Sequence, residues 1–139
     1  MPPVLAEGRL VDSDPLSEPT VNLVKSWVRD CVENYPHCEW KEGEYVLPTR
    51  VIDVGCSDEP LALRLTDGEA KSGTWISLSH TRGGKVLFTT QSSNIYALKE
   101  SIPMGKLPAT FRDAILITRA LEVRYLWIEL FVHCPRRSR

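Results

Sequence analysis

The chain has 139 residues, of which 42% are hydrophobic and 25% charged, with a formal net charge of −1. These are the proportions of a folded globular protein rather than a disordered one, and the charge supplies no global field towards nucleic acid or an anionic membrane. No apolar run approaches the roughly 20 residues a bilayer span needs, and no basic segment followed by an apolar one opens the chain, so an intracellular, cytoplasmic location is expected.

Residues 1–18 carry scattered Pro, Asp, Ser and Glu among isolated apolar residues and read as a loose leader. A helix follows. Ser17 is a possible N-cap, Glu18 and Pro19 fall in the first turn, and Val21, Val24, Trp27, Val28, Cys31, Val32 and Tyr35 recur at helical spacing until Pro36 ends the pattern. The β-branched run 47–55, the turn residues 56–60 and the alternating run 61–65 predict a β-hairpin, with a second turn over 67–73. Residues 74–80 predict a buried strand, and 81–85 a loop. A short helix is expected between Thr90 and Lys99, capped near Ser92 or Ser93. A stronger helix over 108–121 sets Phe111, Ala114, Ile115, Thr118 and Leu121 on one stripe, and a strand begins at Tyr125.

The order strand, helix, strand across 74–130 is a β-crossover-β unit, which places two parallel strands in one sheet with a right-handed crossover. The fold class expected is α/β: a parallel sheet with a crossover helix, preceded by an N-terminal helix and a β-hairpin. Ligands in such sheets sit at the carboxyl ends of the strands, here 79–84 and the surroundings of Glu129. The four cysteines, Cys31, Cys38, Cys56 and Cys134, match no zinc spacing. His37 beside Cys38 does not change that, and the thiols read as small apolar residues. No metal and no cofactor are expected.

Four stretches taken together resemble the fungal heterokaryon-incompatibility (HET) family: Leu47-Pro48-Thr49-Arg50-Val51-Ile52-Asp53-Val54-Gly55, Trp75-Ile76-Ser77-Leu78-Ser79-His80, Leu107-Pro108-Ala109-Thr110-Phe111-Arg112-Asp113-Ala114-Ile115, and Arg124-Tyr125-Leu126-Trp127-Ile128-Glu129. The resemblance covers roughly 20–130 and implies a role in non-self recognition and programmed cell death, with protein partners. It also implies a fold similar to TIR domains, signalling modules of which some hydrolyse NAD. The family-motif positions here are Ser79, His80, Arg112, Asp113, Trp127 and Glu129. Two places depart from the pattern. Thr81-Arg82-Gly83 stands where the family has Cys-Trp-Gly, and Glu129 replaces an Asp before an off-pattern segment. The division expected is therefore a leader (1–18), a helix and hairpin region (19–73), a partial HET domain (74–130) and an off-pattern tail (131–139). The departures imply a truncated product, inactive alone; a TIR-like NAD hydrolase is the alternative.

The candidates for chemistry are His80, for acid–base work, and Glu129, for a ribose hydroxyl. A single His without a named partner reads as structural, and Glu129 as a solvated loop residue. Arg82-Gly83-Gly84-Lys85 lacks the spacing of a phosphate loop and reads as a glycine turn. Asp113 suits the positive end of its helix, Arg112 an ion pair, and Trp75 and Trp127 the core. Arg136, Arg137 and Arg139 read as incidental.

Overall fold

The computed structural model describes residues 8, 10–38, 45–80 and 90–129. Helix α1 spans Glu18–Asn34, with Pro19 in its first turn, where a missing N–H costs nothing. It ends as expected before Pro36: Tyr35 is extended and donates its N–H to the Cys31 carbonyl at 3.2 Å. Its apolar stripe is less covered than the periodicity predicts. No α1 residue is fully buried, and Trp27 is 57% exposed.

Strands β1 (Arg50–Asp53) and β2 (Arg64–Asp67) form the expected hairpin, antiparallel with Ile52 opposite Leu65. Gly68 closes its far end. A Cβ there would lie 1.9 Å from the Pro48 carbonyl oxygen, so the backbones approach as only glycine permits. Strand β3 is Trp75–Leu78, and β4 is Tyr125–Ile128. Between them lie α2 (Ile95–Glu100), a 3₁₀ turn at Met104–Lys106, and α3 (Ala109–Ala120). The cap before α2 is Asn94 rather than Ser92 or Ser93, and the Asn94 Oδ1 accepts the Gln91 N–H at 2.7 Å.

The predicted parallel pair is present, with Trp75 opposite Tyr125 and Leu78 opposite Ile128. The sheet is nonetheless mixed rather than parallel. Its order is β2-β1-β4-β3, and β1 lies antiparallel to β4, pairing Ile52 with Leu126 and Asp53 with Tyr125. The hairpin thus belongs to the same sheet as the parallel pair. The physical reason is burial: Val51, Ile52 and Val54 are fully buried, and β2 alone cannot cover them. Strand β3, expected to be buried, is an edge strand with half-buried residues.

Leu65, Ile52, Leu126 and Ile76 make one row across all four strands. They pack in one core with Leu98 and Ile102, at and just beyond α2, and with Phe111 and Ile115 from α3. Helix α3 presents Phe111, Ile115 and Thr118 inward, and the Thr118 hydroxyl donates to the Ala114 carbonyl at 2.7 Å. It ends in a Schellman turn. The Val123 N–H reaches the Thr118 carbonyl and the Glu122 N–H the Arg119 carbonyl, which puts Glu122 in the left-handed region at φ 61°. The Glu122 carboxylate accepts from Lys25 Nζ at 3.0 Å, which ties α1 to this turn.

Candidate functional site

The register of β3 with β4 decides which predicted residues meet. Because Leu78 pairs with Ile128, Ser79 and His80 leave the sheet at the same carboxyl edge as Glu129. Ser79 and Glu129 are exposed, and His80 is half-buried. The His80 ring stands edge-on to Phe111, with centroids 5.0 Å apart and an interplanar angle of 88°. This is the T-shaped geometry aromatic rings favour. Its Nε2 is buried and has no hydrogen-bond partner among the described residues. Phe111 comes from the first turn of α3, so Arg112 and Asp113 follow it directly in sequence; Arg112 is half-buried and Asp113 exposed. Trp127 is half-buried against the core, and Trp75 is half-buried on the edge strand. The Arg82-Gly83-Gly84-Lys85 turn and the segment from residue 130 onward lie outside the described residues.

A second polar cluster at the adjoining strands is absent from the sequence-based expectations. Asp53 ends β1 with its side chain only 7% exposed. Its Oδ1 accepts from Arg124 Nε at 3.1 Å and from the Gly55 N–H at 2.9 Å. Its Oδ2 accepts from Arg124 Nη2 at 3.1 Å and Arg64 Nη2 at 3.4 Å. Burial works to raise the carboxyl pKa, but the Arg124 and Gly55 hydrogen bonds and the Arg124 and Arg64 charges outweigh it, holding Asp53 below its ordinary 3.8. Arg119 reaches from α3 to the Val54 and Glu59 carbonyls, bracing the turn beside this cluster. With both oxygens occupied, Asp53 is a strand-to-strand tie and not a free base. The signal in the sequence was a carboxylate inside the apolar run Val51-Ile52-Asp53-Val54, which requires cationic partners when buried.

Among the described residues no group of three or more His, Cys, Asp or Glu side chains is placed to hold a metal. Among the same residues, no helix is long and apolar enough to cross a membrane. Comparison with known families matches the model described as "Heterokaryon incompatibility protein (HET)" to residues 75–131. No curated protein and no solved structure matches the chain. The matched span runs from β3 through α3 to β4, while the resembling stretch at β1 lies before it. This 139-residue chain therefore carries a heterokaryon-incompatibility (HET) domain over residues 75–131, a module of the heterokaryon-incompatibility type.

Proposed function

We propose that the chain acts in fungal non-self recognition, as a signalling module that contributes to programmed cell death through contact with protein partners and is inactive alone. The observation that carries this reading is the family match over the β3–α3–β4 unit. The parallel β3–β4 pair with its helical crossover supports a TIR-like core. The burial of His80 Nε2 behind Phe111 supports contact over catalysis, since an imidazole nitrogen shut away from solvent is poorly placed to exchange protons with a ligand. The test is a fusion assay between fungal strains that carry or lack the gene. Lower viability by vital dye in mixed fusions than in self-fusions, with unfused carriers growing normally, is expected. Equal viability in both kinds of fusion, or death of unfused carriers, overturns the proposal.

A second reading, a nucleotide hydrolase, is favoured by one observation: His80 and Glu129 leave neighbouring parallel strands at one sheet edge. Incubating the purified chain with NAD separates the two readings. Nicotinamide release that His80→Ala abolishes establishes the hydrolase; no release leaves the contact reading in place.

A further inference from the structure

Of the four cysteines read as small apolar residues from the sequence, Cys134 lies outside the described residues and the other three are placed otherwise. Cys31 and Cys56 are exposed and Cys38 half-exposed. The Sγ atoms of Cys31 and Cys38 lie 3.1 Å apart, about 1 Å beyond the ~2.05 Å of a disulfide bond. The fold makes this approach. Tyr35 leaves the helix extended, Pro36 bars another helical turn, and the Cys38 N–H donates to the Tyr35 carbonyl at 2.9 Å. The chain is thereby folded back so that Cys38 meets the last turns of α1. Both thiols also line a groove of about 1110 Å3 between α1 and the β3–β4 edge, together with Val28, Val32, Trp75 and Tyr125.

We propose that Cys31 and Cys38 are a thiol–disulfide site, closed into an intrachain bond by a low-molecular-weight disulfide such as oxidised glutathione. The thiolate of one cysteine attacks a glutathione sulfur, breaking that S–S bond and releasing one glutathione thiolate. The second cysteine gives up its proton to solvent and attacks the mixed disulfide, forming the Cys31–Cys38 bond and releasing the second glutathione. The protein loses two electrons and two protons, and the oxidant is reduced to two thiols. Closure pins the turn at residues 36–38 to α1 and so fixes one wall of the groove. Its hydrogen bond with Cys38 is the largest of the influences that hold the Cys31 thiol above its ordinary 9.0, so the reduced pair reacts faster as pH rises.

The experiment uses the full chain, oxidised with glutathione disulfide, alkylated and digested with trypsin. Arg29 and Lys41 bound a single peptide, 30–41, that holds both cysteines and no other. The expected product is that peptide lighter by a pair of hydrogens and unalkylated, its halves still joined after cleavage at Glu33. Cys56 serves as the single-thiol control. Closure in the folded chain is expected to exceed that in urea by about tenfold, because the fold raises the effective concentration of one thiol at the other. In Cys38→Ser, Cys31 is expected to stop at the glutathione adduct. Separate glutathione adducts on both cysteines of the folded chain, or equal closure in urea, overturns the proposal. Protection of both thiols by added zinc also overturns it, by making the pair a metal site.

Discussion

Asp53→Asn isolates the tie between the hairpin and the parallel pair. The substitution keeps an Oδ1 to accept the Gly55 N–H, so the turn is retained while the charge facing Arg124 and Arg64 is lost. The carboxylate is 7% exposed, but the Arg124 and Arg64 side chains are 44% and 56% exposed and regain water when it goes. Exposed pairs contribute roughly 0.2–1 kcal/mol, and orphaning a fully buried partner costs about 3–5 kcal/mol; this half-open case falls between, at about 2 kcal/mol. For a chain of this length that lowers Tm by about 6 °C. The pH dependence carries the sharper test. A carboxyl held below 3.8 in the folded state stabilises fully above that value and loses its contribution as pH falls through the folded one. Urea titrations should therefore show the full gap between wild type and variant at neutral pH, closing in acid below 3.8. A neutral-pH gap under about 0.5 kcal/mol, or a gap unchanged in acid, would refute the assignment of Asp53 as a stabilising ion pair.

Gly68→Ala forces a methyl to 1.9 Å from the Pro48 carbonyl oxygen, and a loss of about 3 kcal/mol or more is expected in chemical denaturation. Glu122→Gly removes left-handed strain at φ 61° at the expense of an exposed ion pair with Lys25; a net gain of about 0.5 kcal/mol in thermal melts is expected. Phe111→Leu should cost about 1.5 kcal/mol or less yet shift the His80 ring-proton resonances, because the ring 5.0 Å away is gone. Unmoved resonances in a folded variant would contradict the edge-on contact.

Local pattern carried much of this fold. Helical spacing from Val21 to Tyr35, the stripe through Phe111, Ile115 and Thr118, and the β-branched run before Gly55 each fix their own element, because periodicity is a property of neighbours in the chain. The pairing of β1 with β4 joins residues more than seventy positions apart, which no local pattern records. Asp53 amid valines and isoleucine was its nearest trace, and the cations that answer it come from β2 (Arg64) and from the residue just before β4 (Arg124). The edge position of β3 was illegible for the same reason, since a half-buried edge strand and a buried one share the composition Trp75-Ile76-Ser77-Leu78. At the candidate site, the position of Ser79, His80 and Glu129 at one sheet edge is what the βαβ reading implies. The Phe111 contact behind His80 is not implied by it, because that contact depends on the azimuth of α3.

The sheet order bears on how the protein reaches its native state. β4 occupies an interior place yet is, among the described residues, the last strand of the sheet to be reached along the chain. During synthesis the hairpin and β3 emerge with no sheet to join, and each presents an open edge until Tyr125–Ile128 leaves the ribosome and zips between them. Folding is thus a late closure rather than a growth from one end, slow for the chain's size because its central pairings are distant. The interval before closure is when unpaired strand edges are most open to wrong association.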